Sequence, residues 1–437
     1  MRPWRSYLSS GIPWATTVDR TSNQPAGGWR LSWEDKPSQS AFEGKVRLMS
    51  PRAAAERSST SIFVDRDRRR VRGRAASAVI WVCSLTLSFF VFTRTAFAHE
   101  KWFHKGPWEP ANWRNVAQFP TAVLIAGVVV ITILAALVRR RLARPNVFPG
   151  PVALGADADG ITRFYALVPV ILAIHVAVPL LVYGIQGHLF APYLILPGVW
   201  QYWLGLIQVG AAIALFYGGL TRLAAIAVGV AWLIGIGVFG LEPMLENSHY
   251  VGFAAFFFLA GRGPFSIDHL LFPRFDPPSH MMRLAPSALR IGVGISLVMV
   301  AFSEKLANPQ LAQSFLQQHP LNFTAALGMP MSDATFVLCA GSVELLVGLF
   351  VLFGLFPRLI ILVAWLPFNL TLTIFDWVEL IGHLPFYGAM AFLLVWTPEE
   401  QDLWIKGITG YANTPCRVVG ERLITKGPCS TRGWPNA

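Results

Sequence analysis

Charge is scarce in this chain, and recognisable catalytic motifs are scarcer still. Only 14% of its 437 residues are Asp, Glu, Lys or Arg, against 54% hydrophobic. The apolar residues come in unbroken runs, which excludes an ordinary soluble domain and leaves a polytopic membrane protein. Acidic residues are the rarer sign, 24 against 36 Lys and Arg, for a net charge of +12. That excess does not make a nucleic-acid face: the arginines gather in the first 75 residues and in short connections between apolar runs, as membrane topology requires. The chain has four cysteines and no C-x-x-C, so dithiol exchange of the usual kind is excluded. Cys83 and Cys339 fall within apolar runs. Cys416 and Cys429 lie in a C-terminal tail that the topology places in the cytoplasm, where free thiols are the expectation. No flavin fingerprint is present, and His175 stands alone within its apolar run between Pro169 and Pro179, so a haem would lack its second histidine.

Residues 1–75, rich in Arg, Ser and Pro, show no periodicity. They are read as a disordered basic leader or as an over-long gene start, since a second methionine, Met49, lies nearer the first apolar run. Residues 76–98 follow the basic stretch Arg68 to Arg74 and end Ala96-Phe97-Ala98, a small-x-small site, so they are read as a secretory signal peptide; the alternative is an uncleaved first helix. Residues 99–120 then form an extracytoplasmic aromatic segment, with Trp102, Phe103, Trp108 and Trp113 expected in the interfacial belt. A single transmembrane helix in 121–144 ends on Arg139-Arg140-Arg141, which the positive-inside rule places in the cytoplasm. Eight further runs follow, near 162–185, 199–219, 222–240, 247–261, 285–303, 333–354, 357–376 and 380–397. Alternating them from that triplet puts Arg163, Arg222, Arg262, Arg274, Arg290 and Arg358 on the inner side. The expected fold is an all-α polytopic transmembrane bundle with nine mature spans and its mature N-terminus outside. Residues 398–437 form a polar cytoplasmic tail.

What the sequence does contain is one pattern written twice. Gln208 and Glu344 each sit mid-run, with a glycine ten residues later (Gly218, Gly354) and an arginine four beyond (Arg222, Arg358). Each lies on a stripe of small residues at helical spacing: Gly205 and Ala212 in the first copy, Gly341 and Gly348 in the second. The runs therefore divide into two four-helix units, 162–262 and 285–397, joined by a proline-containing cytoplasmic linker, 263–284. Four spans being an even number, the units are expected to be parallel repeats about an axis along the membrane normal.

The residues able to carry chemistry are few. Glu344 lies about ten residues from either helix end, hence about 15 Å deep at 1.5 Å per residue. An ionised carboxylate there must be protonated, paired or facing water. Asn369, on the next helix at similar depth, is its expected hydrogen-bond partner. A ligand-contacting or proton-accepting role competes with a structural interhelical hydrogen bond, the role open to neutral Gln208 in the first unit. On the outer side Glu379 with His383 and Glu246 with His249 each place an acid and an imidazole on one helical face, suited to a local pair or to two metal ligands. His99 and His104 raise copper, because cleavage after Ala98 would leave the amine and imidazole of His99 both free to bind Cu(II); an interfacial segment accounts for the same residues. The loop 307–330 contains a mildly amphipathic piece, Pro309 to Gln318, whose Phe315 and Leu316 are expected on the membrane surface beside Glu304 and Lys305.

The second unit resembles a DoxX-type four-helix membrane domain. The matching residues are Arg290, Ser303-Glu304-Lys305-Leu306, Gly328-Met329-Pro330, Gly341 to Glu344, Gly348, Gly354 to Arg358, and Gly382-His383 to Gly388. The first unit resembles it more faintly, with Gln208 in place of the acid and no lysine closing its opening helix. The resemblance implies an all-helical integral membrane protein of the bacterial cytoplasmic (inner) membrane, in a family mostly without assigned activity. Some of its members are membrane subunits of quinone-coupled oxidation of sulfur compounds, and others are linked to oxidative-stress tolerance. It supplies the expectation of a redox partner subunit and of quinone near Glu344 and Asn369, with no independent catalytic activity. A carrier in which two repeats rock about a polar centre, and an outward metal-handling protein using His99, are the alternatives.

Overall fold

A computed structural model describes residues 99–103, 109–142, 148–372, 374–375 and 377–409. The leader, the signal segment, His104, Cys416 and Cys429 lie outside them. Among the described residues the fold is all-helical. A helix forms at each of the nine expected places: α1 Thr121–Leu142, α2 Ala158–Gln186, α3 Trp200–Tyr217, α4 Thr221–Phe239, then after a six-residue helix α5, Leu241–Glu246, α6 Ser248–Ala260. The second group comprises α7 Ala285–Val300, the loop helix α8 Pro309–Gln318, α9 Asp333–Phe353, α10 Pro357–Leu372 and α11 Trp377–Val395, followed by α12 Gln401–Ile408.

Six of these are long and apolar enough to cross a membrane: α1, α2, α4, the continuous Ser279–Leu306 helix that contains α7, α9 and α11. The other three fall short for local reasons. Helix α3 spends two of its 18 positions on Gln201 and Gln208. The chain breaks at Asn247, leaving α6 only 13 residues, and α10 has 16. Among the described residues the chain is thus a multi-pass candidate with six helices that meet both criteria, the other three of the nine expected places being helical but shorter or less apolar.

Small residues set the helix crossings. A Cβ on Gly292 of α7 would lie 2.5 Å from the Cα of Gly252 on α6, and one on Gly205 of α3 would lie 2.8 Å from the carbonyl oxygen of Gly184 on α2. Backbones approach this closely only where no side chain intervenes. The Gly252–Gly292 crossing and the seat of His175 against Gly388 join the first group of helices to the second. Helix α1 stays peripheral, burying only Thr121, Val128 and Thr132.

The duplicated sequence pattern has a matched local geometry. Gly218 and Gly354 both take left-handed backbone after α3 and α9 (φ 68° and 62°), and Leu220 and Phe356 follow with positive φ as well. Arg222 Nε then donates to the carbonyl of Phe258 at 3.1 Å, and Arg358 Nε to that of Leu394 at 2.9 Å, each acceptor 36 residues on. Both arginines satisfy carbonyls in the last turns of the helices they face, groups that a helix leaves without internal partners. Arg262 and Arg290 do the same for α3 and α9, reaching Phe216 and Val351. Arginines read from sequence as topology markers are therefore also helix caps.

Two elements depart from expectation. Helix α8 does not lie on a membrane surface: Leu311, Ala312, Phe315 and Leu316 are buried, Leu316 and Ala312 against Phe336 and Val337, and Phe315 against Phe375. Its apolar face is claimed by protein. The start of the expected tail, 398–409, is also docked: Trp404 is fully buried and donates to the carbonyl of Met282 at 3.1 Å, and a Cβ on Gly407 would lie 2.6 Å from the carbonyl oxygen of Thr162 on α2.

Candidate functional site: a buried charged cluster

Helix α7 does not end at Val300. Residues Ala301–Leu306 continue it with a wider π-type turn, closed by Ala307 N–H on the carbonyl of Phe302 at 2.7 Å. Such turns are uncommon and concentrate at functional sites. This one carries Ser303, Glu304 and Lys305, all buried. A Cβ on Gly341 of α9 would meet the Lys305 Cβ at 2.8 Å, so the small-residue stripe of α9 exists here to admit the lysine stem.

Lys305 Nζ donates to Glu100 Oε2 at 3.0 Å and lies 3.0 Å from Glu344 Oε2. The intramembrane carboxylate is therefore paired, and its partner is not the one expected. Asn369 instead donates to the carbonyl of Trp365 one turn back on its own helix. Gln208, at the matching place in α3, reaches the loop that follows the preceding helix, donating to the carbonyl of His188 at 2.7 Å and accepting from the N–H of Phe190 at 3.0 Å. One site thus uses a neutral side chain on a loop backbone, the other an ion pair.

Glu100 arrives from the segment expected in an interfacial aromatic belt. For its first residues the expectation fails: His99, Glu100 and Lys101 are buried within the bundle, at 7%, 4% and 5% exposure, whereas Trp102 and Phe103 are half-buried, Trp113 is exposed and Trp108 lies outside the described residues. The segment is bonded in through its charges. The Glu100 N–H donates to Glu304 Oε2 at 2.7 Å, and His99 Nδ1 lies 3.6 Å from Glu304 Oε1. Lys101 Nζ bonds Glu246 and stands 3.7 Å from Glu242. Trp102 stacks on the His99 ring with centroids 4.1 Å apart, and a Cβ on Gly382 of α11 would fall 2.0 Å from the Trp102 ring. Behind it, Asn308 and Asn115 donate to the carbonyls of Glu109 and Ala307 at 2.9 and 3.1 Å, holding the segment that leads to α1.

The two acid–imidazole pairs converge on the same cluster without matching each other. His383 Nδ1 lies 3.1 Å from Glu379 Oε1 on α11, and both residues have no exposed surface. Glu246 and His249 are separated by the break at Asn247 and do not pair. The Glu246 carboxylate takes Lys101 and the hydroxyl of Tyr193, while His249 Nδ1 meets Ser296 Oγ on α7 at 3.0 Å. Ser296 in turn donates to the backbone carbonyl of Glu246. The rings of His99 and His383 are 5.3 Å apart. Even so, among the described residues no three His, Cys, Asp or Glu side chains form a group able to hold a metal, so copper at His99 would need ligands beyond these side chains.

Burial dominates the electrostatics of the inserted segment. It pushes Glu100 up to about 8, against the pull of Lys305, and it lowers His99 to about 3, with His383 adding to the effect. Burial also disfavours the charged Lys101, but Glu246 and Glu304 outweigh it and raise its pKa. Tyr193 is driven well up by burial and by Glu246. Counting groups, five buried glutamates (100, 246, 304, 344, 379) face two buried lysines (101, 305). Three carboxyls are left to be met by protons, by imidazolium or by another cation, because an unpaired buried carboxylate is strongly disfavoured.

Below the cluster an apolar cavity is lined by Val293, Leu297, Val347, Ala364, Phe368 and Phe386 among others. Phe368 and Phe386 separate it from His383, at ring distances of 4.6 and 6.1 Å. The sequence pointed to Glu344, Lys305, Glu379, His383, Glu246 and His249, and the structure gathers them. Glu100, Lys101, Ser296 and Tyr193 were not picked out. The one available signal was a Glu-Lys pair inside an otherwise aromatic segment of a chain poor in charge. Comparison with known protein families, with characterised proteins and with solved structures finds no match.

Proposed function

We propose that this chain is a DoxX-like multi-pass protein of a bacterial cytoplasmic membrane, with nine spans, one leading helix followed by two parallel four-helix repeats. In this reading the buried charged cluster faces the outer half of the membrane and acts as a proton-holding site for a quinone-linked redox complex, of which the chain is a membrane subunit. The observation that carries the reading is the excess of buried carboxyls over lysines. A site so composed takes up and releases protons as its surroundings change charge, and intramembrane ionisable groups are functional by default.

Quinone is the partner that fits the adjoining chemistry. Its reduction consumes two electrons and two protons to give quinol; the electrons come from the partner redox subunit and the protons from the cluster. A small apolar cavity lies on the far side of Phe368 and Phe386 from His383, whose ring nitrogens make no well-aligned hydrogen bond among the described residues. The family assignment rests on the motifs at 303–306, 341–344, 354–358 and 382–388, and the repeat assignment gains from the matched Gly-Arg turns.

The test is turnover of a short-chain quinone in native membrane vesicles carrying the parent or Glu344→Gln at equal amounts of folded protein. Turnover should fall by an order of magnitude in the variant. The same carboxyl excess also favours a second reading, a proton-coupled carrier of a small molecule or ion. Loss of substrate uptake with unchanged quinone turnover selects that reading, and no change in either returns Glu344 to a packing role.

A further inference from the structure

Three observations meet at His99. The sequence before it ends Ala96-Phe97-Ala98, the small-x-small pattern that leader peptidases cut. The residue itself is buried at 7% exposure against the ring of Trp102, which is unusual for a residue beside a processing site. Its neighbour Glu304 accepts from the Glu100 N–H through Oε2 at 2.7 Å, while Oε1, 3.6 Å from His99 Nδ1, has no hydrogen-bond partner among the described residues. The backbone nitrogen of His99 is one residue from an amide already on this carboxylate, hence within roughly 5 Å of it.

We propose that the chain is cut between Ala98 and His99 and that the α-ammonium so formed is seated against Glu304 as a working member of the charged cluster. The step is a hydrolysis: water adds across the Ala98–His99 amide, Ala98 leaves with the new carboxylate, and the His99 nitrogen takes up a proton to become an ammonium. An uncut chain has a neutral amide at this position and leaves the cluster three carboxyls in excess. Processing supplies one of the missing cations and does so beside the oxygen that lacks a partner. The His99–Trp102 segment is then a built-in, charged N-terminal ligand of the bundle, held by Glu304 at its α-nitrogen, by Lys305 at Glu100, and by Glu246 at Lys101. This inference does not rest on the redox reading, and its test has no activity readout.

The full chain, expressed with its own leader in a bacterium and purified in detergent, should give an intact mass beginning at His99. Acylation of amines at pH 7.5, followed by peptide mass analysis, should label the α-amine at least tenfold more slowly in the folded protein than after denaturation. Glu304→Gln should bring the folded rate close to the denatured one. Should that variant not fold, the comparison of folded and denatured parent protein decides alone. Ala98→Phe, which blocks cutting, should retain upstream residues and unfold at lower denaturant. An N-terminus at any other residue, or an α-amine labelled equally fast folded and denatured, overturns the proposal.

Discussion

Replacing Lys305 with Met removes one ammonium and keeps the stem that fits against Gly341. That ammonium lies 2.9 Å from Glu100 and 3.0 Å from Glu344, and it is 2% exposed. Removing one partner of a buried pair costs about 3–5 kcal/mol, because the other charge stays behind without solvent. Here the two carboxyls do not suffer equally. Glu100, pushed up to about 8, already holds a proton at neutral pH, so the loss falls mainly on Glu344. A cost in the lower half of that range, about 3–4 kcal/mol, follows. Adding Glu344→Gln removes the stranded charge and should recover about 1–2 kcal/mol, a coupling expected of residues in contact. Denaturant titration in mixed micelles measures both steps. A single variant that loses under 1 kcal/mol, or a double variant no better than the single, would show that water reaches the cluster and that the pairing argument is wrong.

Four further outcomes follow from the same geometry. Between pH 6.5 and 8 stability should fall as pH rises. The folded pKa of Glu100 is raised from 4.5 to about 8 through burial, with Lys305 opposing and Glu304 adjoining, so the folded state holds a proton that the unfolded chain has released; Glu100→Gln should flatten that limb. His99, depressed from 6.5 to about 3, should weaken the fold as pH drops below 6.5, and His99→Gln should remove that acid-side loss in the same unfolding titration. Gly292→Val sets a side chain against the Gly252 backbone and should destabilise by about 3 kcal/mol or more, beyond ordinary overpacking, or else leave protein that fails to survive detergent extraction. Gly382→Val should eject Trp102 from α11, seen as a red-shifted tryptophan emission and faster proteolysis near residue 102, with the bundle itself still helical by circular dichroism.

Helix positions were legible in the sequence because apolar runs of spanning length leave few alternatives in composition or period. Their ends were less so. The break at Asn247 has no proline or glycine to mark it, and it shortens α6 while turning Glu246 and His249 toward different partners. The intramembrane glutamate announced itself by rarity, yet its partner was out of reach: Asn369 matched it in depth, but depth does not fix which face of a helix looks inward. Lys305 reaches Glu344 from the π-type turn, on which Ser303, Glu304 and Lys305 are all buried, and no glycine or proline within 301–306 announces that turn. The segment 99–103 was misplaced for a different reason. Its aromatics fit a membrane interface, and only long-range contacts with Glu304, Lys305 and Glu246 show that its charges belong inside. The amphipathic face of α8 was read correctly as apolar on one side and assigned the wrong cover, since periodicity does not distinguish lipid from protein.

The account turns on protons being held within a dry, carboxyl-rich cluster, and infrared spectroscopy of the membrane-reconstituted protein reads this directly. A protonated-carboxyl band should be present at pH 7, shift in heavy water, shrink as pH passes through about 8, and diminish in Glu100→Gln. Absence of any such band at pH 7, or a band untouched by Glu100→Gln, would contradict it.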